Sequence, residues 1–126
     1  MRRTAFLTAL LCLGLLSADR PASAHHSPAM FDRSKTFTVI GTVRQFQWTN
    51  PHSYIQLVVA GEDGSEQEWS FEMAAVIYLY ERGWRRNSLQ AGDRIEITAS
   101  PLRRGGNGGL VIDVQRLDGK PLGTVR

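Results

Sequence analysis

The chain has 126 residues, with 15 Lys or Arg against 12 Asp or Glu and a formal net charge of +3. This length suits one domain with a modest core, and the 42% hydrophobic content is that of a folded protein rather than a disordered one. The single cysteine, Cys12, excludes a disulfide framework and a Cys-based zinc site.

The first 24 residues have the pattern of a cleaved secretory signal peptide. Arg2 and Arg3 form a positive start, an apolar run covers residues 5–18, and Ala22–Ser23–Ala24 is a cleavage site of the A-x-A kind. The run is shorter than the about 20 residues that a membrane span needs. We therefore expect export to the periplasm, with no membrane span after cleavage.

Cleavage after Ala24 lowers the net charge of the protein. The mature 102 residues carry 12 basic and 11 acidic side chains, a net charge of +1, and have no cysteine. A strongly basic nucleic-acid binder or membrane-surface binder is not expected from this composition. An uncleaved N-terminal anchor is the alternative, and the charges of Asp19 and Arg20 favour it.

Residues 25–36 have no periodicity, which predicts an extended N-terminal arm before a domain at 37–126. From Phe37 to Val43 alternate residues are apolar, as in a strand, but the apolar positions then shift to Phe46 and Trp48. One extra residue near Arg44–Gln45 predicts a β-bulge in a long first strand.

The rest of the chain alternates in shorter pieces between turn signals. We predict four further strands and one short helix, which ends at Gly83. The strands cover residues 53–60, 67–73, 94–99 and 110–114, and the helix covers residues 74–81. This order is typical of an all-β, five-stranded OB-like Greek-key barrel. Another small barrel, or an open sheet packed on the helix, is the alternative.

The mature chain resembles a family of small exported bacterial proteins that is catalogued as a domain of unknown function, DUF6152. The resemblance rests on the segments AHHSPAMFD, GTV, WTNPH, WSFE, RGW and AGD, which together span nearly the whole mature chain. It implies a single periplasmic domain, but it brings no established activity, ligand or catalytic residue.

All three histidines lie at two places, His25–His26 and His52. Cleavage after Ala24 gives His25 a free amine beside its imidazole, and these two nitrogens with the His52 ring form a nitrogen-rich set suited to Cu(II). We expect a copper site, with zinc as the second choice, His26 optional, and Met30 or Asp32 as a weak further ligand. The alternative is a frayed terminus and a loop histidine that only forms hydrogen bonds.

A second reading is a metal-independent interaction module. Large aromatic residues are frequent, and arginines flank two loops of the kind that OB barrels use for recognition. The residues proposed to contact a partner are Trp84, Arg85, Arg86, Arg103 and Arg104. An envelope protein, an oligosaccharide or an anionic small molecule suits the periplasm better than nucleic acid. The alternative is that the tryptophans are core residues and the arginines are solvated.

Enzymatic motifs are absent from the sequence. Ser53 adjoins His52, but no nucleophile-elbow motif is present. Glu66, Glu68 and Glu72 alternate along one strand, which predicts a solvated face rather than an acid/base pair. We expect a binding or accessory protein rather than an enzyme.

Overall fold

The computed structural model describes residues 28–126, so the predicted signal peptide and His25–His26 lie outside the described residues. A short 3-10 turn at Pro28–Met30 precedes five strands and one α-helix. The strands are β1 (Phe37–Gln47), β2 (Tyr54–Ala60), β3 (Glu66–Glu72), β4 (Arg94–Pro101) and β5 (Gly108–Arg116), and the helix is α1 (Val76–Glu81).

The strands close into a barrel in the order β1-β2-β3-β5-β4. All neighbouring pairs are antiparallel except β3 and β5, which run parallel over Ser70–Glu72 and Gly108–Leu110. The helix lies between the third and fourth strands along the chain. The prediction of an OB-like five-stranded barrel is therefore confirmed.

The bulge in β1 allows one strand to serve two partners. Residues 37–42 of β1 pair with β4, and residues 42–47 pair with β2. The β1–β2 register shifts between Val43 and Gln45, which leaves Arg44 as the extra residue. Phe46 then packs against the core, and the centre of its ring lies 5.7 Å from that of Trp84.

Strand alternation fills the core as the sequence indicates. The buried apolar residues of β2, β3 and β4 are Ile55, Leu57, Phe71, Ile95, Ile97 and Ala99. In β5 strict alternation is interrupted, because a second bulge opposite Thr98–Ala99 makes Ile112 the extra residue. Val111 is therefore buried, while Leu110 and Ile112 are only half-buried.

Helix α1 ends in a Schellman motif. Gly83 has φ of +94°, its N–H donates to the Tyr80 carbonyl, and the Trp84 N–H donates to the Leu79 carbonyl. This reversal directs Trp84 into the core, where its side chain is 0% exposed and Nε1 donates to the Thr124 carbonyl at 2.9 Å. The prediction that Trp84 contacts a partner is therefore wrong.

The described part of the N-terminal arm is fixed to the end of β4. The Asp32 N–H donates to the Pro101 carbonyl, and the Arg103 N–H donates to the Met30 carbonyl, both at 2.9 Å. Between these bonds Phe31 forms a bridge with Leu102 and is only 5% exposed. The arm thus reaches the barrel at a defined place, which matters for the histidines before it.

Candidate functional site

His52 lies in the loop between β1 and β2, and this loop is held by its own side chains. The Thr49 hydroxyl donates to the His52 carbonyl at 2.8 Å. The buried Ser53 hydroxyl donates to the Thr49 carbonyl at 3.2 Å and accepts the Thr49 N–H at 3.4 Å. These bonds close the TNPHS segment around the Asn50–Pro51 peptide bond, which is cis.

The same loop is attached to the residues that follow β3. The Ser53 N–H donates to the Ala74 carbonyl, and the Met73 N–H donates to the Ser53 carbonyl at 2.8 Å. The Asn50 side chain accepts the Val76 N–H at 3.1 Å, which satisfies one of the free donors at the start of α1. The loop therefore holds the His52 backbone against the helix and the end of β3.

The His52 ring is oriented through its Nδ1 atom. Nδ1 lies 3.2 Å from the Met73 carbonyl oxygen and 3.2 Å from Oε1 of Glu72. A backbone carbonyl can only accept a hydrogen bond, so Nδ1 is the donor and carries the proton of the neutral ring. Nε2 is then the ring nitrogen with a free lone pair.

Glu72 is a buried carboxylate in direct contact with this ring, at only 8% exposure. Its cross-strand neighbour in β2 is Tyr54. Partial burial, the Glu72 charge and a hydrogen bond to Glu72 raise the pKa of Tyr54. Glu66 and Glu68 are exposed as predicted, but the prediction that Glu72 belongs to the same solvated face is wrong, because the His52 loop covers it.

His52 and Glu72 border an open cleft of about 460 Å³. Buried apolar side chains of Met73, Val111 and Val125 line it. Phe31 and Arg33 from the N-terminal arm also line it, as does Arg126. The arm that leads back to His25 therefore borders the same cleft as His52.

The two weak ligands proposed from the sequence do not lie in this cleft. Met30 is 41% exposed and lines a different groove. The Asp32 carboxylate accepts the Ser34 hydroxyl at 2.6 Å and lies 3.6 Å from the Lys35 amine. Hydrogen bonds from Ser34 lower the pKa of Asp32 most, and Lys35 adds to this. Within residues 28–126, no three His, Cys, Asp or Glu side chains are grouped to hold a metal ion.

The arginines proposed to contact a partner have different surroundings. Arg103 and Arg104 line a groove of about 580 Å³ together with Met30 and Leu102. The Arg85 guanidinium instead lies 3.9 Å from the centre of the Tyr80 ring and donates to the Trp84 carbonyl. Arg86 is exposed in the same connection.

Three charged residues at the cleft were not singled out as site residues from the sequence: Arg33, Glu72 and Arg126. Glu72 had a usable signal, since it ends a strand directly before the Met73–Ala74 segment that binds the WTNPHS loop. The arginines had none, because their position depends on where the two chain ends meet the barrel.

A sequence comparison decides the family. The profile of a family of unknown function, DUF6152, matches residues 12–113. The chain belongs to this family. No curated protein matches the DUF6152 chain, and among the described residues no helix is long and apolar enough to cross a membrane.

Two solved structures are similar to this DUF6152 protein. The N-terminal domain of PriB from Thermoanaerobacter tencongensis is 14% identical, with a TM-score of 0.46 over 67% of this chain and 97% of that chain. Rim1, a mitochondrial single-stranded DNA binding protein from S. cerevisiae, is 10% identical, with a TM-score of 0.46 over 69% and 97% of the two chains.

Proposed function

We propose that this DUF6152 protein is an exported accessory protein that binds copper. Cleavage after Ala24 frees the His25 amine, and the ligands are this amine, the His25 ring and Nε2 of His52. His26 is an optional ligand, and zinc is the alternative metal. The protein acts in the periplasm as a binding protein rather than an enzyme.

The observation that carries the proposal is the position of the arm beside His52. Phe31 and His52 line one cleft, and His25 precedes Phe31 by six residues. His25 comes three residues before the 3-10 turn at Pro28–Met30, and three residues span at most about 11 Å. His25 is therefore within about that distance of the described arm, which supports a ligand set shared with His52.

The state of the His52 ring also favours metal binding. Metal-bound histidines usually donate their other ring N–H to a carbonyl or carboxylate, and Nδ1 of His52 lies within reach of one of each. The His52 side chain is 34% exposed, so the ring is accessible to a metal ion while its orientation remains fixed. Imidazole and amine nitrogens in a set of this kind suit Cu(II) in a tetragonal arrangement.

Titration of the processed protein with Cu(II), followed by EPR, tests the proposal. We expect a nitrogen-rich Cu(II) spectrum and tight one-to-one binding. His52→Ala should weaken binding and remove one nitrogen from the spectrum, and one extra residue before His25 should do the same by displacing the amine. His26→Ala is the matched control and should have the smaller effect. Weak binding, or binding that neither change affects, would contradict the proposal.

The groove lined by Arg103 and Arg104 supports a second function, a metal-independent interaction module. Two guanidinium groups beside the apolar Met30 and Leu102 suit a partner with an anionic group: an anionic small molecule, an acidic oligosaccharide or an envelope protein. Nucleic acid is not the proposed partner, because the mature net charge is only +1. Capture of a partner from an envelope extract should be lost in Arg103→Ala/Arg104→Ala and retained in His52→Ala.

A further inference from the structure

The carboxylate of Glu72 is a buried ionisable group that the proposed ligand set leaves unused. Burial of a carboxylate is costly unless hydrogen bonds compensate for it. The polar groups nearest to Glu72 are Nδ1 of His52, at 3.2 Å, and the phenol of its cross-strand neighbour Tyr54. Because the buried Glu72 carboxylate contacts the ring of a proposed ligand, His52, we ask what it does to that ring.

We propose that Glu72 is a positioning residue that holds His52 with Nδ1 protonated and increases the strength of Nε2 as a ligand. This inference rests on the proposed copper site for its functional meaning. Its structural part, the state of the ring, holds independently of any metal.

Two acceptors meet the same ring atom from adjacent residues. The Met73 carbonyl lies 3.2 Å from Nδ1, so it favours the Nδ1–H tautomer even without Glu72. The carboxylate adds a full negative charge at the same distance. That charge stabilises positive charge on the ring, which is what develops when Nε2 donates its lone pair to a metal ion.

Tyr54 supports the carboxylate from the other side. It is paired with Glu72 across β2 and β3, so the two side chains lie on the same face of the sheet. An ionised carboxylate can only accept a hydrogen bond, so the Tyr54 phenol is the donor between them. Tyr54 therefore contacts Glu72, and Glu72 contacts the His52 ring, which lines the cleft.

The first experiment measures the ring state in the metal-free protein. Nitrogen-15 NMR of the wild-type chain, at a pH where the ring is neutral, should show His52 with a proton on Nδ1 and a bare Nε2. A proton on Nε2 would overturn the inference. This measurement does not depend on copper, so it separates a failure of the inference from a failure of the proposed function.

The second experiment compares Glu72→Gln with the wild-type protein in Cu(II) titrations. The amide keeps the shape and an acceptor but removes the charge, so we expect binding about 10–100-fold weaker with the same number of nitrogens in the EPR spectrum. Glu66→Gln removes an equal charge from the exposed start of the same strand and should leave binding within twofold. Equal affinities of Glu72→Gln and Glu66→Gln would overturn the role in ligand strength.

A purely structural role for Glu72 predicts a different pattern. Glu72→Gln would then lower the unfolding temperature but leave the copper affinity of the folded fraction unchanged. If Glu72→Gln does not fold, Tyr54→Phe provides the test, since it removes the donor that fixes the carboxylate. We expect Tyr54→Phe to broaden the His52 ring signals, and an unchanged ring spectrum would count against the proposed order of contacts.

Discussion

The guanidinium of Arg116 binds both carboxylate oxygens of Asp93, at 2.7 and 2.9 Å. This pair connects the last residue of β5 to the turn before β4. The Asp93 carbonyl also accepts the Val43 N–H at 2.8 Å, next to the bulge in β1. One ion pair therefore lies where three strands of the barrel meet.

Arg116→Gln should weaken the dependence of stability on pH. Hydrogen bonds from Arg116, and then from the Gln90 N–H, lower the pKa of Asp93. A lowered pKa gives stability that is present above the unfolded-state value of about 3.9 and is lost as the pH falls through the folded-state value. We expect wild type to lose its advantage over Arg116→Gln below about pH 4, as measured by urea unfolding at several pH values.

The control for this pair is Arg44→Gln, which removes an arginine from an exposed ion pair with Glu68. Exposed pairs contribute about 0–1 kcal/mol, so its stability should follow that of wild type at every pH. Identical pH profiles for Arg116→Gln and wild type would contradict the assignment.

Ser53→Ala should destabilise the His52 loop. The hydroxyl is fully buried and holds both the N–H and the carbonyl of Thr49, so we expect a loss of about 1–2 kcal/mol. Thermal unfolding measures it, and the His52 ring signals should shift in NMR. Ser70→Ala, at an exposed serine of β3, should change stability by less than about 0.5 kcal/mol. A loop that tolerates Ser53→Ala would not be held as described.

Gly108→Ala should disrupt the parallel pairing that closes the barrel. A Cβ at Gly108 would overlap the Ser70 backbone oxygen, a clash that cannot be relieved without moving the backbone. We expect a loss of at least about 1–3 kcal/mol and faster amide exchange in β3 and β5. Asn107→Ala, one residue earlier in the exposed loop, is the matched control and should be close to wild type.

Trp84→Phe should lower the free energy of unfolding without affecting the binding of a partner. It removes the bond from Nε1 to the Thr124 carbonyl and leaves a void beside Phe46, so we expect a loss of about 1–3 kcal/mol. Calorimetry measures the loss, while Arg86→Ala serves as the exposed control. Unchanged stability in Trp84→Phe would show that the indole is not a core element.

The barrel could be predicted because its strands repeat simple physical patterns. Alternating apolar residues at Ile95 and Ile97 specify one buried face, and the change of phase before Phe46 indicated the bulge. The partial exposure of Ile112 could not be predicted, because the bulge in β5 depends on its pairing with β4 near Thr98–Ala99. Trp84 was misassigned because the sequence identified the Gly83 turn but not the direction in which the chain leaves it.

Part of the candidate site could be predicted from local patterns. His52 precedes the predicted strand at residues 53–60, and it lies in the loop between β1 and β2. The burial of Glu72 and the approach of Arg33 depend on contacts between residues far apart in the chain. Alternation along β3 alone put Glu72 with Glu66 and Glu68, since it does not reveal what covers the end of a strand.

The position of both ends of the described chain limits how this protein can be handled. Phe31, Val125 and Arg126 line the same cleft. A polyhistidine tag fused after Arg126 would therefore place foreign imidazoles near His52, and a tag before His25 would block the amine of the proposed copper site. Metal measurements on tagged protein would include binding by the tag, so the proposal is best tested on untagged protein that begins at His25.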